Sequence, residues 1–209
     1  MANGKGGCAK STTSAHLVHW LALKGKKVAL IDADVQATSS MWVNALGVDC
    51  RVKSIDPDAR TLVDATAELE GLFDYVVIDG PGGLTEVVRC SILVSDLAVL
   101  PIQATGPDVR AAGDALKLLR ECAFIKKGAM PRTVSFLTRV NPRTKACESA
   151  RAALAAQTYA PLLKSMITAR QVVQDGYQAG QTSFSHKTGP GLEAATEFDK
   201  LFKEMDLNV

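Results

Sequence analysis

The stretch Asn3-Gly4-Lys5-Gly6-Gly7-Cys8-Ala9-Lys10-Ser11-Thr12-Thr13 constrains the fold more than any other part of this sequence. Gly4, Gly6 and Gly7 let the backbone curl with its N–H groups turned inward, a concave nest for an anion. Residues 11–23 read as a helix, whose N-terminus adds partial positive charge at the mouth of that nest. Lys10 brings a full positive charge to where β- and γ-phosphates would lie, and Ser11 offers a hydroxyl to Mg2+. The phosphate-loop pattern G-x-x-x-x-G-K-[ST] asks for glycine where this chain has Ala9, so a methyl group is expected to crowd the loop or its phosphate.

A loop of this kind ordinarily leaves a buried strand, central in a doubly wound sheet. Here only Met1 and Ala2 precede Asn3, so that first strand is nearly absent from the sequence. Residues 27–31 are short and apolar, as a buried parallel strand requires, and lead into Asp32-Ala33-Asp34. Residues 73–79 repeat the pattern, ending in Asp79 before Gly80-Pro81-Gly82-Gly83. Residues 97–102, 133–140 and 162–167 read as further strands, and 51–55 as a weak one. Helices are expected over 39–46, 59–69, 86–94, 108–125 (capped by Asp108), 146–157, 170–179 and 192–205. This alternation argues an α/β fold: a three-layer, doubly wound, mostly parallel sheet of the Rossmann-like P-loop NTPase kind, with 1–209 as one domain. An aspartate at a strand end is often only a turn former. Three of them beside a phosphate loop favour Mg2+ chemistry at the carboxyl edge of the sheet.

Hydrophobic residues make up 47% of the 209, enough for a substantial core, and aromatics only 5%, so that core is aliphatic. No run of about 18 apolar residues exists, so no transmembrane helix is expected, and the immediate entry into the loop leaves no room for a signal peptide. Cys8, Cys50, Cys90, Cys122 and Cys147 are scattered without a C-x-x-C pair. Zinc and iron–sulfur ligation are therefore unsupported, and a reducing cytoplasm is the expected compartment. The net charge of +2 is unevenly spread: from Arg110 to Arg170 twelve bases face only Asp114, Glu121 and Glu148. Such a segment is either a patch that contacts nucleic-acid phosphates or a set of bases spread over several faces. No base-reading motif is visible, so any DNA contact would be largely sequence-independent. The last helix sets Leu192, Ala195, Phe198, Leu201, Phe202 and Met205 along one side, but its acids outnumber its bases. Membrane-surface helices favour bases, so packing against the sheet is expected.

Lys5-Gly6-Gly7-Cys8-Ala9-Lys10-Ser11-Thr12 resembles the deviant Walker A loop, K-G-G-x-x-K-[ST]-[ST], of the ParA/MinD ATPases. Asp32-Ala33-Asp34-Val35-Gln36 resembles the family's D-x-D-P-Q segment, with Val35 in place of proline, and residues 75–79 resemble its Walker B strand. Residues 91–101 and 167–180 look like the small, ParF-type plasmid-partition members, and the resemblance covers nearly the whole chain. It implies an ATP-sandwich homodimer in which Lys5 reaches across to the partner's nucleotide. Gly4, Lys5, Gly6, Gly7, Cys8, Ala9, Lys10, Ser11 and Thr12 would line the nucleotide, and Ser11 would ligate Mg2+. Asp34 would orient the attacking water, with Lys5 and Lys10 acting on the phosphates and Asp32 and Asp79 supporting Mg2+ and its waters. Thr138-Arg139-Val140-Asn141-Pro142 resembles the adenine-side loop of MinD-like members, which makes Asn141 the candidate for reading adenine.

The resemblance further implies plasmid or chromosome partition, or positioning of another cargo. The ATP-bound dimer would bind DNA non-specifically, associate with the nucleoid in the cytoplasm, and be reset by a ParB-like centromere-binding partner that stimulates hydrolysis. No membrane partner is expected. The rival readings are a MinD-like membrane-positioning ATPase, an electron-transfer ATPase like the nitrogenase iron protein, and a nucleotide-binding scaffold with little turnover.

Overall fold

The computed structural model describes residue 7 and residues 9–125 and 131–207. Along them run α1 Lys10–Leu23, β1 Val28–Asp32, α2 Thr38–Leu46, β2 Cys50–Ser54, α3 Ala59–Leu69, β3 Tyr75–Asp79 and α4 Glu86–Val94. There follow β4 Leu97–Gln103, α5 Gly106–Ile125, β5 Arg132–Val140, α6 Lys145–Ala155, β6 Leu162–Thr168, α7 Gln171–Ala179, a 3-10 turn at Ser183–Ser185, and α8 Gly189–Glu204. Each expected element is present, with ends displaced by a few residues at most; the 3-10 turn had no counterpart in the sequence reading. Asp108 is not the cap expected of it. Helix α5 begins at Gly106, and the Thr105 hydroxyl accepts the Asp108 N–H at 3.3 Å while bonding the Asp108 carboxylate. Thr105 therefore caps, and Asp108 sits one turn inside.

Among the described residues all strand pairings are parallel, as expected, and they run in the orders β2-β1-β3 and β4-β5-β6. β3 pairs with β1 and β4 with β5, and among the described residues β3 and β4 do not pair with each other. Alternation along the strands sorts side chains to two faces. Val28, Leu30, Val77, Val99, Val134 and Phe136 meet α1, Trp42 of α2, and Phe198 and Phe202 of α8 in one cluster. On the other face Ala29, Ile31 and Ile78 meet Leu62, Ala65 and Leu69 of α3, while Ala98 and Leu100 meet Val88 and Ile92 of α4 and Leu119 of α5. The first cluster draws on both sets of strands, so three layers are kept.

Helix α1 is buried without interruption from Thr13 to Leu21, which explains why it carries so little amphipathic signature. His16 lies at its centre, fully buried, and desolvation pushes its pKa down to about 3. The ring is thus neutral. Its Nδ1 donates to the Thr12 carbonyl at 2.7 Å, which leaves Nε2 to accept from the Ser183 N–H at 3.1 Å. The helix behind the phosphate loop is thereby tied to the 3-10 turn.

Helix α8 packs on the sheet as expected, with Phe198, Leu201, Phe202 and Met205 in the core; Leu192, expected among them, is 46% exposed. Its acids have a structural use. Glu204 accepts the backbone N–H groups of Lys164 and Ser165, and Glu197 that of Thr168, which covers the free edge of β6. Among the described residues no helix is long and apolar enough to cross a membrane.

Candidate nucleotide site

The site is assembled at the carboxyl ends of the strands, where the N-terminus of α1 meets the aspartates that end β1 and β3. Lys10, Ser11 and Thr12 form the first turn of that helix, with Lys10 itself buried. Among the described residues no side chain caps this helix, whose N-terminus carries the partial positive charge that favours an anion. Lys5, Gly4, Gly6 and Cys8 lie outside the described residues.

Ala9 takes φ 66° and ψ 27°, the left-handed conformation. The consequence of replacing the pattern's glycine is therefore visible in the backbone: an L-residue in this region costs roughly 1–2 kcal/mol. Part of that is offset by the lower unfolded-state entropy of alanine, about 0.5–1 kcal/mol. Ala9→Gly is expected to raise stability by about 0.5–1 kcal/mol in a urea melt. A fall in stability would show that the left-handed turn is not strained.

Asp32 and Asp79 are neighbours in the β1–β3 register, and both are fully buried. They differ in how they are satisfied. Asp32 accepts the N–H of Asp34 at 3.1 Å and the N–H of Ser40 at 2.8 Å, so it shapes the loop that carries Asp34. Asp79 accepts the Ser14 hydroxyl at 3.2 Å through Oδ1, while its buried Oδ2 has no hydrogen-bond partner among the described residues. Burial pushes the Asp79 pKa up, opposed by the Ser11 hydroxyl and reinforced by the charge of Asp32. Asp34 is half-buried; its carboxylate accepts the Gln36 N–H at 2.9 Å.

This donor set fits Mg2+. No group of three or more His, Cys, Asp or Glu residues that could cage a metal exists among the described residues. Mg2+ characteristically keeps several waters and takes only one or two protein oxygens beside phosphates. An orphaned carboxylate oxygen next to Ser11 offers that: Ser11 would hold the ion directly, and Asp79 a water on it.

A buried, incompletely satisfied carboxylate should also weaken the free protein. With the folded pKa raised, the cost of ionisation is absent below the ordinary value of 3.8 and sets in as pH rises above it. Asp79→Asn is expected to raise the Tm of the nucleotide-free protein at pH 7 by a few degrees, less at pH 4, and to cut turnover about 100-fold. A lowered Tm at pH 7 would contradict the assignment.

Two residues that grip the loop were missed as such in the sequence. Gln103, ending β4, donates its Nε2 to the Gly7 carbonyl at 2.9 Å, and Arg139, near the end of β5, donates its Nη1 to the same oxygen at 3.1 Å. Arg139 also adopts a positive φ of 51°. Their position at strand ends was the available signal; nothing local in sequence links residues 103 and 139 to residue 7. Asn141 follows β5 in an exposed turn, where its carboxamide oxygen accepts the Arg143 N–H at 3.3 Å. A small depression between α1 and the β6–α7 connection is lined by Thr12, Thr138, Arg139, Thr168 and Arg170, but Asn141 is not part of its wall.

The segment of twelve bases divides in the structure. Arg139 is spent on Gly7, and Arg170 is bound by Glu197 at 2.7 Å and Glu193 at 3.3 Å. Arg132 donates to the carbonyls of Met205 and Asp206. Arg110, Lys117 and Arg120 are exposed on α5, and Lys145 on the adjacent α6. Lys126 and Lys127 lie outside the described residues.

The comparisons agree with this geometry. The chain is 24% identical over 208 residues to maintenance of carboxysome distribution protein A of Halothiobacillus neapolitanus, covering 98% of this chain and 94% of that protein. It is 28% identical over 227 residues to the chromosome-partitioning ATPase Soj of Thermus thermophilus, covering 93% and 90%. The fold matches the septum site-determining protein MinD of Pyrococcus horikoshii, solved with Mg-ADP, at a TM-score of 0.75 and 19% identity over 98% of this chain and 95% of that one. The profile of the CobQ/CobB/MinD/ParA nucleotide binding domain matches residues 1–183. The loop, the strand-end aspartates and these matches together place the chain in the ParA/MinD family of P-loop ATPases.

Proposed function

We propose that this chain is a Mg2+-dependent ATPase of the ParA type. It forms a sandwich homodimer on ATP, binds DNA without sequence preference in that state, and is reset by a ParB-like partner that stimulates hydrolysis. The cargo would be a plasmid, a chromosome or another body distributed over the nucleoid. The observation that carries the reading is the buried Asp32–Asp79 pair beside the N-terminus of α1, with Lys10 and Ser11 on one side and Asp34 on the other.

In-line phosphoryl transfer needs charge neutralisation and a positioned water more than covalent chemistry. Lys10 and the N-terminal dipole of α1 would neutralise the phosphates. Mg2+, when bound, supplies Lewis acidity to the phosphate oxygens. Asp32 would hold the 32–40 loop so that Asp34 can orient the water. Lys5 would complete the site across the dimer, and Asn141 would meet the adenine. The exposed bases of α5 and α6 would supply sequence-independent phosphate contacts. A membrane-surface role for α8 has less support, because its apolar side is in the core and its acids bond β6.

Phosphate release measured with Mg-ATP, with and without duplex DNA of mixed sequence, tests the reading. Slow turnover and ATP-dependent DNA binding that weakens steeply with salt are expected. ATP binding without turnover, in the presence of DNA and the partner protein, would favour the scaffold alternative.

A further inference from the structure

The segment between α7 and α8 reaches back across the fold and touches both helices that carry the candidate nucleotide site. The Gln181 carbonyl accepts the indole N–H of Trp42, on α2, at 2.8 Å. Ser183 donates its N–H to His16 Nε2, and the Thr182 hydroxyl lies 2.7 Å from Nδ1 of His19, further along α1. Thr182 and Ser183 are both buried. Phe198 of α8 stacks on the His16 ring with centroids 4.0 Å apart, Trp42 stands edge-on to it at 5.7 Å, and Phe184 lies at 6.2 Å. Helix α1 brings Lys10 and Ser11, and α2 follows the loop that holds Asp34. Two imidazoles and one indole thus fasten a single short turn across both helices.

We propose that the turn begun by Thr182 and Ser183 is an acid-released latch on these two helices, opened when His16 takes up a proton. The closed form needs a bare Nε2, because the Ser183 N–H points at it. A proton there sets one N–H against another. The Ser183 hydroxyl, 3.0 Å from Nε2, can accept the new bond, but the buried Ser183 N–H then loses this partner and a charge sits among aromatic rings. Attraction of the cation to the Phe198 face is small beside that loss of hydration. The ring is faced by Thr12 of α1, Trp42 of α2, Ser183 and Phe184 of the turn, and Phe198 of α8. The charge that acts on it among the described residues is that of His19, which opposes protonation further. Lifting the turn gives the ring to water and to its ordinary pKa of 6.5, against about 3 in the closed form. With the folded pKa depressed, the latch is fully closed above pH 6.5 and weakens as pH falls toward 3. Its opening constant rises about tenfold per pH unit in that window.

Amide hydrogen exchange of the nucleotide-free protein, corrected for the intrinsic exchange rate at each pH, tests the latch. No nucleotide is needed, so the result is independent of the ATPase reading. From about pH 6.5 to about pH 4.5 the protection of Ser183, Phe184 and Ser185 is expected to fall about 100-fold, with the amides of β1 better protected throughout. His16→Gln keeps a donor and an acceptor but does not titrate, and should hold the change in the turn within about twofold. His19→Gln should retain most of the wild-type pH dependence. Nitrogen NMR of the wild-type imidazoles supplies a measurement that needs no variant: His16 should take its proton over the range in which the turn opens. A turn whose protection does not change with pH, an undiminished pH dependence in His16→Gln, or a His16 ring that stays neutral while the turn opens would each overturn the proposal.

Discussion

Lys10→Ala is expected to abolish ATP binding, raising the Kd at least about 100-fold, or about 2.7 kcal/mol. The size follows from position. Lys10 stands in the first helical turn, already buried, at a helix N-terminus whose dipole favours an anion. A charge-assisted contact in such a place is worth far more than one at an open surface. Removing the ammonium takes away the full positive charge that the helix dipole only supplements. Isothermal titration with a non-hydrolysable analogue reads the effect directly, and the melting curve without nucleotide shows whether the fold is intact. Wild-type affinity in a folded Lys10→Ala protein would remove the phosphate role from this loop.

Asp34→Ala should do the reverse of Lys10→Ala: retain ATP and lose turnover by about 100-fold or more, the range expected when a group that positions the attacking water is removed. The geometry separates the two aspartates of the segment. Asp32 is fully buried and accepts two backbone N–H groups, so its loss would disturb the 32–40 loop itself. Asp34 is half-buried, and among the described residues its carboxylate makes a local turn contact with the Gln36 N–H, so it can be removed with little structural cost. Single-turnover phosphate release should therefore fall while analogue binding stays within about twofold. Hydrolysis at the wild-type rate would mean that another group orients the water.

Much of this architecture was legible in the sequence. Residues 28–32 and 75–79 are apolar runs ending in aspartate, and both became the strands that carry the site. Their reading was secure because burial on both faces leaves little besides aliphatic residues. The phosphate loop announced itself by spacing. The pairing of the strands was not legible. The lateral orders β2-β1-β3 and β4-β5-β6 among the described residues are a tertiary outcome, and no local pattern records them. The grip of Gln103 and Arg139 on Gly7 was hidden for the same reason, since the contact spans 96 and 132 residues. The basic segment stayed open between two readings for a further reason. Residue counts cannot tell Arg170, bound by two glutamates, from Lys145, which faces solvent. His16, which no sequence motif singled out, is a neutral bridge between α1 and the 3-10 turn.

The central claim is that ATP acts as an association switch, with Lys5 completing the partner's site. Sedimentation velocity of the wild-type protein in Mg-ATP, in Mg-ADP and without nucleotide tests it most directly, with Lys5→Ala run in parallel. The account predicts a dimer in Mg-ATP and a monomer in the other two conditions, and a Lys5→Ala protein that binds ATP yet stays monomeric. The same species in all three conditions, or an unimpaired Lys5→Ala dimer, would contradict it.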